Sequence, residues 1–265
     1  MKTFDPKSTA FSLPTAILMA KHAQNAYLDG TPLLKAMKSL GFPNVEQFLQ
    51  EETQGCVAWN DSAVVLSFRG TEAKLKDWET DFQAAFVPGP EGRVHRGFNR
   101  ALEIVWPQVL NLLTPLWNQD RARSYWITGH SLGGALATLA AARLRFIEGD
   151  RPMHGVYTFG SPRVGDKNFG EAYNRQLMGR TFRFVNNNDI VPRVPPRLLG
   201  YTHVGTLEYL TEDGKLVDDI GFWNLLLDRA RGALGDLGEK GLDAIKDHGI
   251  ANYISILEQI EKPGK

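Results

Sequence analysis

The sequence predicts an α/β fold, a mostly parallel central sheet flanked by helices, and three observations carry that prediction. Short β-branched and aromatic runs alternate with helical stretches from Cys56 onward, the order that builds parallel sheets. One such run, Ser124 to Thr128, passes through Gly129-His130-Ser131-Leu132-Gly133 into an alanine-rich helix, which reads as strand, sharp turn, helix. The 265 residues contain no internal repeat, low-complexity tract or linker, so a single domain spanning 1–265 with a large core is expected.

Taken in order, Leu13 to Tyr27 has apolar residues at helical spacing and ends near Asp29-Gly30, a helix stop. Two shorter helices are expected over Pro32 to Leu40 and over Asn44 to Gln50, the latter capped by Asn44. Cys56 to Trp59 and Ala63 to Phe68 read as a hairpin joined at Asn60-Asp61-Ser62. Beyond Thr71, Trp78, Phe82, Ala85 and Phe86 share one helical face, which suits a helix packed on the sheet or a short movable lid. Pro88 to Gly92 is a turn cluster, followed by a helix from Gly97 to Trp117 with Pro107 as a point for a kink. After the helix from Ala135 to Phe146 come a strand over Gly155 to Phe159, a helix over Asp166 to Leu177, and strands over Thr181 to Val185 and Tyr201 to Tyr209. Phe222 to Ile245 is helical, and a polar loop at Lys246-Asp247-His248 opens the last helix.

Thirty basic residues balance thirty acidic ones, so no overall field draws the chain to nucleic acid or to an anionic membrane at long range. The single cysteine, Cys56, sits in an apolar run and reads as a buried structural thiol. Asp5, Pro6, Lys21 and His22 break up the N-terminal apolar stretch, which does not read as a signal peptide. Cytoplasmic location is therefore the default expectation, with secretion as the alternative if a leader was removed or another route is used. No run is long enough to cross a bilayer, and a monomer is the default. No H-E-x-x-H, paired-cysteine or EF-hand pattern and no phosphate loop is present, so neither a metal nor a cofactor is indicated.

Gly129-His130-Ser131-Leu132-Gly133 has the G-x-S-x-G form of a nucleophile elbow, whose tight turn leaves the serine exposed above a sheet. A serine held there is expected in an unfavourable backbone conformation costing about 1–3 kcal/mol. The N–H of Leu132, at the positive end of the following helix, is one candidate oxyanion donor. The other is Thr71, in the loop after an early strand. A serine nucleophile needs a base, and the base needs an acid that fixes its tautomer. Asp189 lies just past the strand ending at Val185, where sites in such sheets gather, and Asp166 is the weaker alternative. For the base, His203 lies inside a predicted strand and His248 in a polar loop from which an imidazole can reach a serine. His130 and His95 are expected to pack or to anchor a loop.

At this point the chain resembles the fungal-type, or class 3, lipases of the α/β-hydrolase superfamily. The matching pieces are Phe68-Arg69-Gly70-Thr71 with Trp78, Val94-His95-Arg96-Gly97-Phe98, Thr128 to Ala137, Thr158 to Gly165, Asn188-Asp189-Ile190-Val191-Pro192 with Pro195-Pro196, and Asp247-His248 with Tyr253. The resemblance implies Ser131, Asp189 and His248 as a triad, Thr71 and Leu132 as oxyanion donors, and the segment after Thr71 as a lid. It also implies a carboxylester hydrolase acting on lipid or ester substrates, met at a lipid–water interface in the case of a triacylglycerol lipase. Phospholipase A1, short-chain esterase and feruloyl-type esterase are the alternatives on the same fold, and a non-catalytic lipid-binding scaffold is the alternative from another class. The chain departs from the secreted members in having no cysteine pairs and in its helical segment Phe222 to Ile245, which is expected either to pack or to border the cleft.

Overall fold

The structure, a computed structural model, describes residues 4–71, 85–149, 151–187, 189–211, 213–217 and 248–261. The proposed lid and the Phe222 to Ile245 helix fall almost entirely outside those residues. Eight strands form the central sheet: β1 (Asn44–Gln50), β2 (Thr53–Trp59), β3 (Ala63–Phe68), β6 (Ser124–His130), β7 (Gly155–Phe159), β9 (Thr181–Asn186), β11 (Thr206–Leu210) and β12 (Leu216–Val217). They lie side by side in that order, and β3, β6, β7, β9 and β11 run parallel. The pairs β1–β2, β2–β3 and β11–β12 are antiparallel. A small second sheet joins β4 (Phe86–Pro88), β5 (Arg93–His95), β8 (Gly165–Asp166) and β10 (Tyr201–Thr202).

Strand side chains alternate between two cores. Val64, Leu66, Phe68, Tyr125 and Ile127 face the helices α3 (Arg96–Gln119), α4 (Leu132–Phe146) and α5 (Lys167–Leu177). Ala63, Val65, Trp126, Tyr157, Phe182 and Phe184 face α1 (Leu13–Asn25), α2 (Gly30–Ser39) and α6 (Ile250–Glu261). β3, β6, β7 and β9 are buried on both faces, and β3 and β7 accordingly read as nearly continuous apolar runs rather than as alternating ones. The hairpin expected between β2 and β3 is present, with Asn60 Oδ1 accepting from the N–H of Ser62 and of Ala63, both at 2.9 Å.

Two expectations are corrected. Asn44 to Gln50 is not a helix capped by Asn44 but an edge strand paired with β2 along all seven residues. Phe48 is buried against Phe68, with ring centroids 5.5 Å apart, while Leu49 is left 58% exposed; the sheet ladder outweighs local helical preference. The strand expected over Tyr201 to Tyr209 is two strands in different sheets, broken where Gly205 takes φ +75°. The long helix expected around Pro107 is present as α3, which runs through Pro107 and Pro115.

His22 on α1 is fully buried against Phe42, and among the described residues neither of its ring nitrogens has a hydrogen-bond partner. Burial lowers its pKa from 6.5 to about 3. Between those values the unfolded chain holds a proton that the folded chain refuses. The stability gained by keeping His22 neutral is therefore complete above about pH 6.5 and is lost as pH falls toward about 3. Urea unfolding from about pH 7 to about pH 5 is expected to show His22→Leu with a shallower pH dependence than the parent, by up to about 1.4 kcal/mol per pH unit. Equal slopes would show that His22 does not titrate on unfolding.

Candidate active site

Ser131 stands between β6 and α4 with φ +58° and ψ −128°, one of two non-glycine residues among those described with positive φ. The turn is held from both sides: the Ser131 N–H donates to the Phe159 carbonyl at 2.9 Å, and its own carbonyl accepts from Gly134 N at 2.9 Å. The side chain is buried, and Leu132 opens α4 immediately after it.

Asp189 follows β9 and is 1% exposed. Its Oδ1 accepts from Val191 N at 2.9 Å, and its Oδ2 accepts from the Tyr253 hydroxyl at 2.5 Å. His248 Nδ1 lies 3.0 Å from Oδ1 and 2.9 Å from Oδ2. A carboxylate only accepts, so Nδ1 carries the proton and Nε2 is left with its lone pair. His248 Nε2 and Ser131 Oγ are both buried with no hydrogen-bond partner among the described residues. The arrangement thus leaves unspent one acceptor on the imidazole and one hydroxyl on the serine.

Gly160, at the end of β7, makes room for this pair. It takes φ +59°, and a Cβ there would come within 2.7 Å of Asp189 Oδ2 and 2.9 Å of the His248 ring. The loop carrying Thr71 runs against the elbow: a Cβ on Gly70 would lie 2.6 Å from the His130 carbonyl and 3.1 Å from Ser131 Cβ. Both sequence-derived oxyanion candidates, Thr71 and Leu132, are half-buried beside Ser131 in sequence or space.

The other candidates are committed elsewhere. Asp166 caps α5, accepting from Phe169 N at 3.0 Å, and pairs with Arg93 Nε at 2.9 Å, which leaves it no part beside Ser131. His203 Nε2 donates to the Pro192 carbonyl at 2.7 Å and so braces the connection that carries Asp189. His95 caps α3, its Nδ1 accepting from Phe98 N at 3.3 Å. Among the described residues no cluster of His, Cys, Asp or Glu could hold a metal, and no helix is long and apolar enough to cross a membrane.

Two residues do more than the sequence indicated. His130 Nε2 donates to the His248 carbonyl at 2.6 Å, and the two rings lie tilted by 34° with centroids 4.5 Å apart. Because Nε2 donates, Nδ1 accepts from the Tyr27 hydroxyl at 2.8 Å. Burial, and then the neighbouring His248, lower the His130 pKa to about 3, so its ring stays neutral. Tyr253 accepts from Asn186 N at 3.0 Å while donating to Asp189, and burial followed by the Asp189 charge holds its phenol far above the ordinary value. Tyr253 lies five residues after His248, on the first turns of α6, and that short spacing was the available signal. Tyr253→Phe removes the donor to Asp189 and the hydroxyl that accepts from Asn186 N. A loss of about 1–3 kcal/mol in urea unfolding is expected, and unchanged stability would mean that water replaces the phenol.

The family described as Lipase (class 3) matches residues 65–199, from β3 through the elbow to the end of the connection after Asp189. Secreted mono- and diacylglycerol lipase 1 of Fusarium solani is 36% identical over 161 residues, covering 59% of this chain and 46% of that protein. The lipase of Rhizomucor miehei is 31% identical over 195 residues, covering 71% of this chain and 51% of that protein. The chain therefore spans about half the length of these relatives. The crystal structure of the lipase from Rhizopus microsporus var. chinensis superposes with a TM-score of 0.65 at 27% identity, covering 77% of this chain and 76% of that one. A parallel sheet flanked by helices, a serine on a strained strand-to-helix turn and a family match across the residues that hold both show that this chain has the α/β-hydrolase fold and belongs to the class 3 lipase family.

Proposed function

We propose that the chain is a serine carboxylester hydrolase acting on acylglycerols, with Ser131 as nucleophile, His248 as base and Asp189 as the acid that orients it. The observation that carries this reading is the His248 ring fixed by Asp189 with Nδ1 protonated, so that Nε2 is the free base. In the proposed reaction Nε2 takes the Ser131 proton as Oγ attacks the ester carbonyl. The N–H groups of Thr71 and Leu132 stabilise the tetrahedral oxyanion, and each is worth on the order of 10²–10³ in turnover. Imidazolium returns its proton to the leaving alcohol, and water, deprotonated by the same nitrogen, releases the fatty acid from the acyl-enzyme. His130 and Tyr253 act as positioning residues, the first through the His248 main chain and the second through Asp189.

The relatives named as mono- and diacylglycerol lipase and as lipase support acylglycerol esters as the substrate class. Triacylglycerols are the first members of it to test. The relative named as secreted supports the secreted alternative over the cytoplasmic expectation. We take one α/β domain to carry the whole reaction.

The experiment is the initial rate of tributyrin hydrolysis followed across the solubility limit, with Ser131→Ala protein as the blank. Parent activity is expected to exceed the blank by at least about 10⁴-fold. A fluorophosphonate is expected to label the parent at Ser131 and to leave Ser131→Ala unlabelled. Absence of both turnover and labelling in folded protein would overturn the reading in favour of a non-catalytic lipid-binding scaffold.

A further inference from the structure

The connection from β9 to β10 carries Asp189 near one end and, near the other, an outward turn formed by Pro196, Arg197, Leu198, Leu199 and Gly200, all exposed. Leu198 is 96% exposed and Leu199 50%. A single exposed leucine needs no explanation, but adjacent leucines at the outermost point of a braced turn do. The bracing comes from below. Arg163, itself buried, donates from Nη1 to the carbonyls of Arg193 and Pro195, the latter at 2.9 Å, and Arg163 N donates to the Val194 carbonyl at 2.8 Å. Within the turn, Leu199 N reaches the Pro196 carbonyl at 3.0 Å and Gly200 N the Arg197 carbonyl at 2.9 Å. Just past it, the Tyr201 ring stacks on Phe86 with centroids 4.2 Å apart, and the Arg93 guanidinium lies 4.8 Å from the Phe86 centroid. The leucines are thus presented on a rigid support and do not fold back onto the core.

Charge says what they meet. Arg193 and Arg197 flank the leucines, both are exposed, and neither guanidinium has a hydrogen-bond or ion-pair partner among the described residues. In a chain with no net charge, two cations without a partner among the described residues, beside an apolar tip, form a local field. Apolar side chains that insert at the headgroup boundary, with cations alongside, match an anionic lipid surface.

We propose that the Pro196–Gly200 turn is a lipid anchor: Leu198 and Leu199 insert into an anionic lipid surface while Arg193 and Arg197 meet its headgroups. This deepens the acylglycerol reading by naming the surface on which the substrate is met, and its biological role rests on that reading.

The test uses Ser131→Ala protein, so that no turnover alters the lipid, in co-sedimentation with vesicles of phosphatidylcholine mixed with phosphatidylglycerol and of phosphatidylcholine alone. Stronger binding to the mixed vesicles is expected. Leu198→Ser/Leu199→Ser is expected to weaken it at least about tenfold, and Arg197→Gln about fivefold. Thermal melts that overlay the parent's show that the exposed substitutions leave the fold intact. Undiminished binding by the double variant, equal binding to both vesicle types, or no binding by the parent would overturn the anchor. So would a parent that dimerises without lipid through these leucines, which would assign the turn to a second copy. Vesicle binding by a chain that hydrolyses no ester would sink the hydrolase reading alone, and hydrolysis without vesicle binding would sink the anchor alone.

Discussion

The site depends on a buried carboxylate. Asp189 is almost inaccessible to water, and an ionised group in that position costs several kcal/mol unless donors replace its hydration. Val191 N, the Tyr253 hydroxyl and His248 Nδ1 supply them. Those donors come from the connection after β9, from α6 and from the residues just before α6, so satisfying one side chain ties chain segments about sixty residues apart. The same bonds that make burial of Asp189 tolerable also select the tautomer of His248. Structural and chemical requirements on this carboxylate are therefore not separable: a change that spoils one spoils the other.

The second constraint is the elbow. A positive φ at Ser131 is a backbone strain of about 1–3 kcal/mol. The cost is spread over surroundings that offer little freedom: β6 is buried along its whole length, α4 is buried over most of its residues, and the Ser131 N–H and carbonyl are each bonded. Rigidity on both sides over-determines the turn, and the Ser131 hydroxyl has no partner among the described residues.

Much of this was legible in the sequence because it is written locally. The elbow pattern, the strand-to-helix change around it and the Asn60-Asp61-Ser62 turn are short-range signals, and the structure bears out the elements they predicted. Strand β1 was misread because seven residues can satisfy helical spacing while the deciding interactions come from β2 across a turn. The split of Tyr201 to Leu210 between two sheets is likewise a tertiary outcome, marked locally only by Gly205. Asp189 and His248 could be proposed one at a time from their placement, but their pairing joins residues too far apart for any spacing rule. The shared bonds of His130 and Tyr253 were invisible for the same reason: each side chain reads as core until its partner is located.

His130 also bears on the electrostatics of the proposed base, His248. Its ring lies 4.5 Å from that of His248 and, with its pKa lowered to about 3, it stays neutral wherever an ordinary imidazole titrates. Were it charged, an imidazolium forming at His248 would face a like charge at that distance, a repulsion of about 4 kcal/mol at an effective dielectric of about 20. That is comparable to the loss from deleting an oxyanion donor. Burial is what prevents it, and the Tyr27 and His248 bonds use both ring nitrogens in the neutral form, one donating and one accepting. A residue that looks like elbow packing thus holds the main chain of His248, the proposed base, and keeps competing positive charge away from it.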